Sequence, residues 1–324
     1  MPDAHPSFLT ILSATRAALD GAGEFIGSSE SEAPRFELFN APNSICSQKV
    51  RAVLAFHEIP YVSQSMNIFA GETYLPAYVR LRLAACDDLD LPLVAAHSGS
   101  TSVATGGCDP AVVPTLVDLA AEKLIVDSKR ICLYIDATIA GRARLRPAHL
   151  AERIDAELDI VDNLPNYQML SGRPPGEDHR PASRRGGNGV DFAMSKVGRC
   201  DRYLAEFADD KALVRGYAAK RCKELQAAQQ LFSAQAMRAA YDKAEEACEG
   251  LEGRLAARGN RWLLADEMTM ADLYWAIELL RMKNLGADAL WSHGARPAVA
   301  DFVERAERVA AIRSAVIDWP GAQY

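Results

Sequence analysis

No uninterrupted apolar run in the chain approaches the roughly 20 residues that a membrane-spanning helix needs, so no membrane partner is expected. Met1 to Gly21 lacks a charged stretch followed by an apolar core, and no secretory leader is read there. No Cys-x-x-Cys occurs. The seven cysteines (Cys46, Cys86, Cys108, Cys132, Cys200, Cys222 and Cys248) are odd in number and widely spaced. That pattern excludes a zinc knuckle, argues against a disulfide framework and fits a reduced, cytoplasmic protein. His5, His57, His97, His149, His179 and His293 show no metal-ligand spacing, so no metal is expected. A P-loop and a dinucleotide Gly-x-Gly-x-x-Gly are both missing. Basic residues are outnumbered, with a net charge of −7, which argues against a general polyanion binder and a nucleic-acid partner.

The composition that remains is 49% apolar and 24% charged, and 324 residues suffice for two domains with substantial cores. Residues 1–34 carry a weak helical pattern (Phe8, Leu9, Leu12, Leu19). A linker-like stretch, Gly27 to Glu32, follows, so this part reads as an N-terminal extension. Residues 35–138 read as an α/β unit. Phe36 to Phe39 and Tyr61 to Met66 are strands, with a helix between them carrying Cys46, Val50, Val53, Leu54 and His57 on one face. A helix over Pro76 to Leu83, strands at Val113 to Asp118 and Lys123 to Val126, and a helix from Ser128 to Asp136 complete it. The order βαβ–α–ββα is that of a thioredoxin-like domain. Residues 84–111, rich in Ala, Asp, Gly and Ser, read as an insertion that could act as a lid. Residues 148–324 read as all-helical, with helices over Leu150–Leu164, Phe192–Phe207, Leu213–Ala257, Met270–Lys283 and Ala298–Val309. Thr269 with Asp272 has the spacing of a capping box.

Cys46 is the residue with the clearest chemical prospect. It sits at a helix start, where unpaired N–H groups and the positive end of the helix dipole favour a thiolate, and Lys49 lies one turn on. The plain alternative is a cysteine that only packs. Ser44 could stabilise a neighbouring thiolate or simply cap the helix. Asp127-Ser128 is a common helix start, and a helix N-terminus is also an anion site. The Arg180, Arg184 and Arg185 loop could place cations near an anionic substrate, but it reads rather as a solvated loop. Tyr167, Tyr203 and Trp275 could line an aromatic pocket or pack in the core.

Three motifs carry a resemblance to the glutathione S-transferases: Ser44-Ile45-Cys46-Ser47, Val113-Pro114-Thr115-Leu116 and Asp127-Ser128. The resemblance implies an α/β thioredoxin-like N-terminal domain followed by an all-α C-terminal domain. It implies glutathione as the thiol ligand, held by Val113 and Pro114 through backbone next to a cis peptide, and by Asp127 and Ser128 at its γ-glutamyl end. Cys46 and Ser44 become the catalytic pair.

Tyr78-Val79-Arg80-Leu81-Arg82-Leu83, Val112 to Asp118, Asp127-Ser128-Lys129 and Ile317-Asp318-Trp319-Pro320-Gly321 narrow the likeness. Together with the Cys46 turn, they resemble the glutathione-dependent reductive dehalogenases of di- and tetrachlorohydroquinones. That likeness implies a small aromatic substrate, a glutathionyl conjugate, a mixed disulfide on Cys46 and a homodimer. Glutathione-dependent ether or thioether cleavage, a zeta-like cis–trans isomerase, and a non-catalytic ligand binder on the same fold stand as alternatives.

Overall fold

Phe36 faces Tyr61 in a parallel pairing and Asp118 in an antiparallel one, which puts the strand leading to Cys46 at the centre of the sheet. A computed structural model of the chain describes residues 7–19, 23–27, 34–97, 102–139, 144–171, 188–259 and 262–322. The sheet has the order β1-β3-β2-β4-β5. Its strands are β1 (Glu24–Ile26), β2 (Phe36–Asn40), β3 (Tyr61–Ser65), β4 (Thr115–Asp118) and β5 (Lys123–Val126). β2 and β5 are buried along nearly their whole length, as strands covered on both faces must be.

Helices cover both faces. α2 (Ile45–Phe56) and α4 (Ser128–Thr138) bury Val50, Val53, Leu54, Ile131 and Ile135 in one core that continues into the helical half. α1 (Phe8–Ala17) and α3 (Pro76–Asp88) cover the opposite face around Leu12, Phe39, Tyr78, Leu81 and Val126. His57 at the end of α2 lies 3.0 Å from Asp136 of α4, both buried.

The N-terminal extension is integrated into this domain. β1 pairs antiparallel with the outer edge of β3, which would otherwise be open. Arg16 of α1 pairs with the buried Glu37 of β2, and Gln64 donates to the same carboxylate at 2.8 Å. Of the expected linker, Gly27 follows β1 directly and residues 28–33 lie outside the described residues.

The helix begun at Pro76 extends beyond Leu83 to Asp88. Cys86 on its last turn is joined to Cys108 by a disulfide, and a backbone bridge links Leu93 to Cys108. This overturns the expectation that no disulfide forms: no pairing could be read from the spacing, but the fold folds the segment after α3 back onto it.

The helical half comprises α5 (Ala151–Asp162), α6 (Asn166–Ser171), α7 (Gly189–Glu206), α8 (Lys211–Gln230), α9 (Ala234–Ala257), α10 (Met270–Asn284) and α11 (Pro297–Ala306). Two expectations change here. The stretch from Leu213 to Ala257 is two helices, because Ser233 caps a new one by accepting from the Ala236 N–H at 3.1 Å. α7 begins at Gly189, capped by Asn188, which accepts from the Asp191 N–H at 2.7 Å. Gly189 is needed there, since a Cβ would meet the Phe232 ring at 2.2 Å. α10 is buried from Met270 to Met282, and its Thr269–Asp272 capping box is present; Asp272 also accepts from the Leu263 N–H at 2.6 Å. None of the described helices is long and apolar enough to cross a membrane.

Candidate functional site

The loop before α2 is fastened from below. Arg51, fully buried, donates to the carbonyls of Ala41 at 3.0 Å, Pro42 at 3.1 Å and Ala315 at 2.9 Å, and stacks over Trp319. Arg281 of α10 donates to the Asn43 carbonyl at 2.5 Å. Ser44 is the N-cap of α2, its hydroxyl accepting from the Ser47 N–H at 3.3 Å. A hydroxyl that accepts in this way keeps its own proton to donate. Cys46 follows in the first turn and is half-buried.

Cys46 meets the other sequence motifs. Ser128 lines the same cavity, and its hydroxyl favours the thiolate form of Cys46. Ser44, Cys46, Val113, Pro114, Asp127 and Ser128 line one cavity of about 260 Å³. The Val113–Pro114 peptide is cis. The electrostatics of the thiol differ from the expectation. Burial pushes the Cys46 thiol above its ordinary value; Lys49 opposes this, while Asp162 adds to it. Lys49 is not a free cation beside the sulfur. It is buried, 2.9 Å from Asp162 Oδ1 and over the Tyr274 ring. The sequence could not reveal this, because Asp162 is 113 positions away.

Arg82 ties the remaining pieces together. Buried on α3, it donates Nε to the Asp109 carbonyl at 2.7 Å. Nη1 reaches the Pro114 carbonyl at 2.7 Å and Thr115 Oγ1 at 2.9 Å. Its Nη2 reaches Asp127 at 3.4 Å, and Arg130 holds the other oxygen of Asp127 at 2.8 Å. Burial raises the Asp127 carboxyl despite both guanidinium groups. Asp127 has φ +67° and makes no side-chain cap to α4, so the first amides of that helix are left to serve another acceptor.

Sequence reasoning missed the other end of the cavity. Lys196, Lys220, Lys223, Glu224, Asp109 and His97 all line it. Lys220 and Lys223 place their ammonium groups 2.8 and 2.9 Å from Asp109 Oδ2. Burial alone would raise the Asp109 carboxyl, but the two lysines hold it well below its usual range. The one signal available was the spacing of Lys220, Lys223 and Glu224 on one helix face, which reads equally well as a solvated stripe. His97 comes from the segment after α3 and stacks on Tyr167 at 4.5 Å. Of the three aromatic candidates only Tyr167 reaches the cavity. Tyr203 stacks on Tyr217 in a core, and the buried Trp275 donates to Glu157. Arg180, Arg184 and Arg185 lie outside the described residues.

Residues 220–309 match the family model described as glutathione S-transferase, C-terminal domain. A 2,5-dichlorohydroquinone reductive dechlorinase from Sphingobium indicum is 36% identical over 291 residues, which is 89% of this chain and 84% of that protein. Among solved structures, the β-etherase LigF from Sphingobium sp. strain SYK-6 aligns with TM-score 0.56 at 13% identity, over 87% of this chain and 98% of that one. A maleylacetoacetate isomerase from Methylobacterium extorquens AM1, with bound malonate and glutathione, aligns with TM-score 0.53 at 17% identity, over 89% and 100%.

Proposed function

Since this chain belongs to the glutathione S-transferase family, we propose that it is a glutathione-dependent reductive dehalogenase of chlorinated hydroquinone-like aromatics. The observation that carries the reading is the meeting of Cys46 with Ser128 in one cavity, from motifs 82 positions apart in a chain 36% identical to a dechlorinase.

Glutathione is the thiol co-substrate, and the residues present fit it. The uncapped first turn of α4, with Ser128, receives the γ-glutamyl carboxylate. Asp127 faces the α-amino group, and the Val113 backbone, set by Pro114, pairs with the cysteinyl unit. The Ser44 hydroxyl donates to the thiolate, which displaces halide from the substrate's keto tautomer and leaves a glutathionyl conjugate.

Cys46 then acts as the second thiol. Its thiolate attacks the conjugate sulfur, an S–S bond forms and the aryl C–S bond breaks. The aryl carbon takes a proton, so the aromatic leaves reduced. The mixed disulfide on Cys46 is cleared by a second glutathione thiolate, which regenerates the Cys46 thiolate and carries away glutathione disulfide. Two glutathiones are oxidised for each halide released. Burial works against the Cys46 thiolate that this step needs, and Lys49 and Ser128 work for it. The same reading has the protein work as a homodimer in the cytoplasm.

Cys46→Ala tests the scheme. Mass spectrometry of a reaction with labelled glutathione and a chlorinated hydroquinone should show the glutathionyl conjugate accumulating and no reduced aromatic. Normal yields of reduced product from this variant would sink the scheme. Cys46→Ser is less decisive, because its hydroxyl retains part of the polar role.

A further inference from the structure

The lysine-rich end of the cavity has no task in the thiol steps. Lys196 of α7 donates to Tyr167 Oη at 3.0 Å, lies 3.4 Å from Glu224 Oε2, and sits 4.2 Å from the centroids of both the Tyr167 and Phe192 rings. The Tyr167 hydroxyl gives its proton to Glu224 at 2.8 Å, so its oxygen is left to accept from Lys196. Lys220 stands 2.8 Å from Glu224 as well as from Asp109. Three lysines therefore face two carboxylates: with Lys196 neutral the charges balance, and protonating it leaves a surplus of one positive charge. His97 does not alter that count: burial, then Lys223, pushes its imidazolium down to about 3.

Lys196 is the least firmly paired of the three. Lys220 and Lys223 each reach a carboxylate within 2.9 Å, whereas Lys196 keeps 17% of its side chain exposed at the cavity wall. A lysine that is incompletely neutralised and flanked by two aromatic faces suits a ligand that is both aromatic and anionic.

We propose that Lys196 is a catalytic acid–base residue for an aromatic hydroxyl: its neutral amine takes the hydroxyl proton of the hydroquinone, and the resulting ammonium holds the aryloxide. This rests on the hydroquinone reading above. In the step the substrate O–H bond breaks, its electron pair stays on oxygen, and the proton bonds to Nζ. Nothing is oxidised or reduced. The reverse transfer returns the proton as the reduced hydroquinone leaves. Tyr167 and Glu224 are positioning residues. Burial is the main force that lowers the Lys196 ammonium, to about 8; Glu224 and Asp109 oppose it, and Lys220 and Lys223 add to it. Among the described residues His97 and Tyr167 also face it, the first held neutral and the second's hydroxyl raised by burial.

The test uses para-chlorophenol, which lacks the second hydroxyl, without any thiol. Difference absorption reads the fraction bound as aryloxide at a pH below the phenol's own ionisation. The wild-type protein should bind the aryloxide. Lys196→Met should bind the neutral phenol with a Kd weaker by about tenfold or more. Lys196→Arg keeps a cation that cannot act as base. It should leave the substrate KM within about threefold while kcat for dechlorination of a chlorinated hydroquinone falls about 100-fold. A merely structural lysine would not split KM from kcat. Calorimetric affinity for glutathione should be unchanged in both variants. If Lys196→Met weakens glutathione and spares para-chlorophenol, the lysine serves a glutathione carboxylate and the proposal is overturned. If the wild type dechlorinates but binds the phenol neutral, the proposal falls while the dehalogenase reading stands. If the aryloxide is bound through Lys196 yet no halide is ever released, the dehalogenase reading fails and the aryloxide site survives.

Discussion

Lys49 Nζ lies 2.9 Å from Asp162 Oδ1, and both side chains are almost fully buried next to the Cys46 turn. The second oxygen of Asp162 is buried with no partner among the described residues. The pair therefore withholds from Cys46 a positive charge that the sequence seemed to provide. Lys49 pulls the thiol down and Asp162 pushes it up.

Asp162→Asn should release that charge. The Cys46 alkylation rate by iodoacetamide, followed against pH in a Cys222→Ser background, should have its midpoint shifted downward. Removing one partner of a buried pair should also cost about 3–5 kcal/mol of folding stability in a denaturant titration. An unmoved alkylation midpoint would show that Asp162 does not control the thiol.

Arg82 serves four acceptors that include the Pro114 carbonyl and Asp127. Arg82→Met would leave buried acceptors unserved and Asp127 with Arg130 alone. A loss of about 3–5 kcal/mol is expected, with a weaker glutathione Kd by calorimetry. Arg82→Lys retains the charge but not the fork, and should recover only part of either quantity. Equal affinity for glutathione in all three proteins would detach Arg82 from that site.

The Cys86–Cys108 disulfide spans 22 positions and ends one residue before Asp109, which clamps Lys220 and Lys223. A closed loop of that size stabilises by about 3 kcal/mol. The double variant Cys86→Ser/Cys108→Ser should lose that amount. It should also exchange amide protons faster at Leu93, Val94 and Cys108, now Ser at the last position. Wild-type protein reduced in denaturant and refolded under dithiothreitol should match the variant. If it instead matches the untreated protein, the bond does not contribute in solution.

What was legible from sequence and what was not divides along one physical line. Ser44, Cys46, Asp127 and Ser128 sit at helix starts, where the signal is local and needs no knowledge of tertiary contacts. The same holds for the Thr269–Asp272 cap. The lysine end of the cavity depends on Asp109 meeting Lys220 across 111 positions and on Tyr167 meeting Glu224 across 57. No local pattern encodes those meetings. β1 was missed for a related reason: three residues flanked by glycines have little period of their own, and only the free edge of β3 gives them a partner.

The acid–base assignment of Lys196 carries a cost in stability that can be measured without substrate. Burial lowers its ammonium from 10.5 to about 8, so the folded state disfavours the charged form at neutral pH. Each pH unit of such lowering corresponds to about 1.4 kcal/mol, an upper bound of about 3.5 kcal/mol for this partly buried group. Lys196→Met should therefore stabilise the fold at pH 7, by about 1–3 kcal/mol. The pH dependence fixes the sign. Between pH 8 and 10.5 the unfolded chain holds a proton that folded Lys196 has released, so this group adds stability as pH rises through that window. Lys49 and Lys220 have raised values and act in the opposite sense, but they do so in both proteins. The stability gap between variant and wild type should thus be largest below pH 8 and close as pH approaches 10.5. A constant gap across that range, measured by urea titration, would mean that Lys196 is not held short of its charge.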